Sequence, residues 1–168
     1  FRRVLFRSLG VRHIALTNAE RVERDYFDSH VLAPDTYVPL LLEGLEQAQD
    51  TWLPTVSIHK RFRILVEDEL AALATPDAPR LVAHAGPDRV TPRLEPGNGR
   101  AVLAVGPEGG WNAFELDLLA RHRFERIALG GRTLRTDTAC IALLSRLQEA
   151  LAHPDTARST TGDLPDCG

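Results

Sequence analysis

Cysteine, lysine and long apolar runs are all scarce in this chain of 168 residues. Only Cys140 and Cys167 are present, one in a helical pattern and one in a polar tail. That usage points to a reducing compartment, and it excludes a disulfide framework or a cysteine zinc site. The six histidines show no metal-ligand spacing, so no metal is expected. No apolar stretch is long enough to span a bilayer, and none has the form of a secretory signal. Excess positive charge is lacking too: the formal net charge is −3, and Lys60 is the only lysine. Internal repeats are absent. The 43% hydrophobic content suffices for one packed domain.

The first eight residues, Phe1 to Ser8, read as a sequencing or assembly scar, because they match a translated adapter end. Setting them aside removes three arginines and lowers the formal charge to −6. A surface that acidic does not hold nucleic acid by bulk charge. The expected layout is a scar over 1–8, a folded domain over 9–152 and a disordered polar tail over 153–168.

What is present is organised around Ala101-Val-Leu-Ala-Val-Gly-Pro-Glu-Gly-Gly-Trp111. An apolar run meeting glycine and proline reads as a strand covered on both faces. Asn112 and Glu115 then have capping-box spacing for a helix to Ala120. Gly106, Gly109 and Gly110 are expected to let the backbone approach a ligand. The plainer alternative is an ordinary strand-to-helix turn.

Further strands are expected at Val11–Thr17, Pro54–Ile58, Arg80–His84 and Arg126–Leu129. Asn18 to His30 is charged and reads as a loop with a helical turn. Asp35-Thr36 is expected to cap a helix with Val38, Leu41, Leu42 and Leu45 on its apolar face and Pro39 in its first turn. Val66 to Leu73 reads as a short helix, and residues 86–100 as a long connection. A last helix carries Cys140, Leu143, Leu144, Leu147 and Leu151 on one face. The alternation of elements gives an α/β fold with a parallel sheet.

Three strand ends then fall at one edge: Ala83 to Pro87, Gly106 to Gly110, and Leu129 to Ala139. In open α/β sheets ligands bind at carboxyl ends of strands. The glycine turn is neither a P-loop nor a dinucleotide fingerprint, and it suits a neutral or zwitterionic ligand. Arg132 and Arg135 flank the last turn, either as solvated charges or with Arg135 facing the pocket. His84 at its strand end is either a structural residue or a base.

Val105-Gly-Pro-Glu-Gly-Gly-Trp111 together with Leu129-Gly-Gly-Arg-Thr-Leu-Arg-Thr-Asp-Thr-Ala139 resembles the signature of the ribosomal small-subunit methyltransferase E family, of the SPOUT superfamily. Leu9 to Ile14 and Glu43 to Gln47 with Pro54 also resemble family segments. Gly131, Thr133 and Asn112 depart from the pattern. The resemblance implies a parallel sheet with a deep trefoil knot near the carboxyl end, and a cytoplasmic homodimer packed through the knot helices. It implies S-adenosylmethionine as cofactor and methylation of uridine N3 in 16S ribosomal RNA. Cofactor-binding positions would be His84 and Gly86 from one strand end, and Val105, Gly106, Pro107, Glu108, Gly109 and Gly110 from the next. Leu129, Gly130, Leu134, Arg135, Thr136, Thr138 and Ala139 complete the set. Arg135 is the candidate for stabilising the uracil anion, and Glu108 for orienting the substrate or taking its proton. The Leu143–Leu147 face is expected at the dimer interface, and the family's amino-terminal RNA-binding domain is expected to be missing. Two alternatives stay open: a ribose 2′-O methyltransferase of the same superfamily, or an inactive cofactor-binding fragment.

Overall fold

The computed structural model describes residues 10–22, 32–48, 52–86, 100–130 and 133–152. The expected scar, the tail from 153, most of the 86–100 connection and Gly131-Arg132 lie outside the described residues.

Among the described residues there are eleven short segments, three of which run on as one helical stretch, and the five strands form two parallel sheets. Strands β1 (His13–Thr17) and β2 (Thr55–His59) pair in register His13 with Thr55 through Thr17 with His59. Strands β3 (Arg80–Ala83), β4 (Val102–Val105) and β5 (Phe124–Ile127) form a sheet of order β4-β3-β5. Helix α1 (Pro34–Ala48) joins β1 to β2 in sequence. A helical stretch α2 follows β2, α-helical over Phe62–Ile64 and Leu70–Leu73 with a π-helical turn over Leu65–Glu69 between. Helix α3 (Ala113–Arg121) lies between β4 and β5, and α4 (Thr136–Ala152) ends the described chain.

The central strand β3 shows why its sheet is covered twice. Neighbouring side chains on a strand point to opposite faces. Val82 accordingly joins Phe62, Val66, Leu70, Trp111, Leu118 and Leu119 in one cluster, while Leu81 joins Ile127, Leu143 and Leu147 in another. Each fully buried leucine contributes on the order of 1.5–3 kcal/mol. The continuous apolar runs expected of a parallel sheet are therefore present because helices cover both sides. Among the described residues no helix is long and apolar enough to cross a membrane.

Several boundaries differ from the sequence expectation. Helix α1 starts at Pro34, with the Ala33 carbonyl accepting from Thr36 and Tyr37 N–H. Asp35 and Thr36 are thus helical rather than capping, and Pro39 sits in the helix interior. Leu41 is buried on this helix, but Leu42 is 44% exposed, because one more residue turns the side chain about 100° away from the core. The α2 stretch starts at Phe62, before the expected Val66, since Phe62 itself is a core residue. Strand β5 begins at Phe124 and stops at Ile127, two residues ahead of the expected span. Phe124 and Ile127 anchor it, and the charged Glu125 and Arg126 between them disguise the run. Helix α3 ends without glycine: Arg123 takes the left-handed conformation (φ 65°) that glycine usually supplies after a helix.

The largest correction concerns α4. Leu143 and Leu147 are 4% and 5% exposed inside this chain, packed on Leu81 and Ile127. They are core residues and cannot also form the expected interface between two copies.

Candidate functional site

The loop after β4 owes its shape to one backbone conformation and two contacts. Gly110 adopts φ 71°, where a side chain is strained. Gly106 is pressed by Trp111, whose ring atoms would stand 3.0 Å from an added Cβ. Gly109 is pressed by Arg21. At two of the three glycines a protein neighbour thus leaves little room for a side chain, and all three line the cleft described below.

Trp111 fastens this loop to the neighbouring strand. It is buried, packs against Phe62 with ring centroids 5.4 Å apart and planes tilted by 36°, and donates from Nε1 to the carbonyl of Ala83 at 3.2 Å. The helix that follows is closed by the expected capping box. Asn112 Oδ1 accepts from Glu115 N–H and Glu115 Oε2 accepts from Asn112 N–H, both at 2.8 Å. Glu115 is 3% exposed, and its Oε1 accepts from Glu20 N–H at 2.8 Å. Both oxygens of that buried carboxylate are thereby satisfied, as burial demands. The contact also locks the loop after β1 onto the start of α3.

Beyond β5, Ala128 and Leu129 leave the ladder and Gly130 turns the chain at φ 68°. Thr136, the first residue of α4, donates from its hydroxyl to the Gly106 carbonyl at 3.2 Å. The third strand end is thus tied to the second.

These loops enclose one open cleft of about 690 Å³. Of the expected binding residues, His84, Val105, Gly106, Pro107, Glu108, Gly109, Gly110, Leu129, Leu134, Arg135, Thr136 and Ala139 line it. Gly86, Gly130 and Thr138 do not. Gly86 falls just beyond the lining, Gly130 serves the turn, and Thr138 bonds to the Asp137 carboxylate in the first turn of α4. Ala83, Ala85 and Thr133 join the lining from the expected strand ends, while sequence reasoning missed Arg21, Trp111, Ile127, Ala128 and Leu143, which also line the cleft. Only Trp111 was signalled, as the residue that closes the glycine motif.

Charge is arranged unevenly along the rim. Arg135 Nη2 stands 3.9 Å from Glu108 Oε1, and its Nε 3.8 Å from Asp137 Oδ1. The Arg135 and Glu108 side chains are 72% and 69% exposed, so this ion pair is weak and free to exchange partners. Burial, followed by the nearby Arg126 charge, holds the His84 imidazole below its usual pKa, so it lines the cleft as a neutral ring at pH 7. Among the described residues no group of His, Cys, Asp or Glu is placed to hold a metal ion.

An α/β domain with a glycine-rich cleft at the carboxyl edge of its parallel strands belongs to a class of proteins that bind a small ligand at that edge. Residues 5–148 match the RNA methyltransferase domain family, and the chain belongs to that family. It is 31% identical over 142 residues to the ribosomal RNA small subunit methyltransferase E of Treponema pallidum, an alignment covering 80% of this chain and 51% of that protein. A 31% identity over 119 residues relates it to the protein of that name from Synechocystis, covering 67% and 37%. The chain spans about half the length of the curated relatives it matches, or less. Among solved structures, a Legionella pneumophila methyltransferase in complex with its cofactor SAM superposes with a TM-score of 0.73 at 26% identity, covering 89% of this chain and 60% of that one. The ribosomal RNA small subunit methyltransferase E of Neisseria gonorrhoeae, bound to S-adenosyl methionine, shares the fold at a TM-score of 0.71 and 24% identity, covering 88% and 60%.

Proposed function

We propose that this chain is the methyl-transferring part of an S-adenosylmethionine-dependent enzyme that modifies N3 of a uridine in 16S ribosomal RNA. The observation that carries this reading is the convergence of three strand ends on one cleft in a chain of this family. Its volume of about 690 Å³ lies within the range for small-molecule sites of about 300–1,000 Å³. The donor set fits a zwitterionic nucleoside: main-chain groups of the Gly106–Gly110 turn beside apolar Val105, Leu129, Leu134 and Ala139. These residues, with His84 and Thr136, would hold the cofactor, which when bound supplies an electrophilic methyl group.

The chain's own task is to place the nucleophile and to exclude water. Uridine N3 is a poor nucleophile until it loses its proton. Arg135 faces the cleft with its charge weakly engaged, so it is suited to stabilise the anion that spreads over the uracil oxygens. Glu108, paired with it, is the candidate for orienting the base or accepting the proton. The target must be unpaired or extruded, because N3 lies on the pairing edge.

The family resemblance extends the proposal to a trefoil knot and to a cytoplasmic homodimer. It also extends to an RNA-binding domain outside this sequence.

The test is methyl incorporation from labelled cofactor into small-subunit RNA, with the modified atom mapped. Label on uridine N3 supports the proposal. A methylated ribose 2′-oxygen replaces it with a related activity. Cofactor binding without incorporation, favoured by the half-length match to the relatives, would reduce the chain to a cofactor-binding unit.

A further inference from the structure

The loop after β1 brings a cation to the cleft that no strand end supplies. Its backbone is fastened repeatedly. Asn18 N–H donates to the His59 carbonyl at 3.4 Å, Val22 N–H to the Ala19 carbonyl at 3.1 Å, and Glu20 N–H to the buried Glu115 carboxylate at 2.8 Å. Ala19 is a core residue. Arg21 therefore projects from a fixed platform. Its stem lies against Gly109, where an added Cβ would come within 3.2 Å of both Arg21 Cβ and Cδ. Its Nη1 donates to the Gly109 carbonyl at 2.5 Å. The side chain is exposed and lines the cleft.

A guanidinium carries five N–H donors in a planar fork. One is used on Gly109. Arg135, the other cleft arginine among the described residues, faces the carboxylates of Glu108 and Asp137. Among the described residues no carboxylate lies within ion-pair distance of Arg21. Among the described residues its positive charge thus meets no carboxylate, while its position is set by stem packing and a main-chain bond. Such a fork selects an oxyanion, which it can grip through parallel N–H bonds. In a chain of net charge −3 there is no bulk attraction for polyanions, so individually placed cations must supply it.

We propose that Arg21 binds a backbone phosphate of the RNA strand beside the base that enters the cleft. This rests on the reading of the chain as an RNA methyltransferase. The cofactor's carboxylate has the same oxyanion chemistry, and the experiment separates the two. Binding of a labelled single-stranded, uridine-containing RNA is followed by fluorescence anisotropy over a range of salt, for the wild type, Arg21→Ala and Arg21→Lys. Cofactor binding is titrated calorimetrically on the same proteins, and thermal melting reports their folding.

For Arg21→Ala we expect RNA affinity about tenfold lower and a log–log salt slope shallower by about one. Arg21→Lys, which keeps the charge but not the fork, should fall between. Any change in cofactor affinity should be smaller than the change in RNA affinity. Unaltered RNA affinity and slope in folded Arg21→Ala would overturn the proposal, and so would a loss confined to the cofactor. If the wild type binds cofactor but no RNA even at low salt, the Arg21 assignment fails while the cofactor reading stands. If it binds neither, the functional reading itself has failed.

Discussion

The hydroxyl of Thr136 donates to the carbonyl of Gly106, joining residues thirty positions apart across the back of the cleft. Gly106 is buried, so its carbonyl depends on this partner. Thr136→Val keeps the side-chain shape and removes the donor. We expect a loss of about 1–2 kcal/mol, read as a melting temperature lower by about 2–8 °C for a chain of this size. Cofactor affinity should fall as well, since two of the three cleft loops lose their tie. A variant that melts with the wild type would show the bond to be dispensable.

Gly109 and Arg21 form a second coupled pair. Gly109→Ala places a methyl group 3.2 Å from the Arg21 stem, so the arginine must move. Calorimetric and melting measurements on Gly109→Ala, Arg21→Ala and the double variant form a cycle. We expect Gly109→Ala to be harmful alone and nearly neutral when Arg21 is already alanine, with a coupling of about 0.5–3 kcal/mol. Additive effects would return the glycine to a role in ligand approach.

Glu115 tests how the platform is held. Glu115→Ala strips the partners from Asn112 N–H and Glu20 N–H at once. Two donors left without acceptors, together with the cavity, should lower stability by about 2–4 kcal/mol. Chemical denaturation measures this directly. A loss no larger than that of an exposed cap would mean that water replaces the carboxylate.

Acid should weaken the β1–β2 pair. His13 Nε2 and His59 Nε2 each lie 2.7 Å from Ser57 Oγ, and His59 Nδ1 meets the Glu69 carboxylate. Burial first, and then the neighbouring His59, hold His13 below its usual 6.5. A depressed folded value means that the unfolded chain binds more protons below pH 6.5. Stability is therefore complete above that pH and is lost as pH falls through the folded value. Melting temperatures at pH 7.5 and 5.5 should differ less for His13→Asn than for the wild type. An equal acid loss in both would assign it to other groups.

Arg135→Ala should separate chemistry from binding. The guanidinium is largely exposed and weakly paired, so the fold does not depend on it. We expect methyl transfer to fall by about 10²–10³-fold with the melting temperature and cofactor affinity retained. Activity close to wild type would remove Arg135 from the reaction.

Local pattern was enough for the β4 strand, the glycine turn after it and the Asn112–Glu115 capping box, because each is set by residues within about ten positions. The carboxyl-edge cleft was legible for the same reason: strand ends can be located from apolar runs, and parallel strands bring their ends to one side. Tertiary contact alone decided the rest. Nothing near Arg21 marks it as a cleft residue, because its place comes from Gly109 and from the loop that Glu115 holds. The reason for glycine at 106 is a ring five residues later, folded back over it. The Leu143–Leu147 stripe has the spacing of any buried helix face, and spacing does not say what will cover it. Here Leu81 and Ile127 of the same chain do, since β3 and β5 expose apolar side chains on the face where α4 lands.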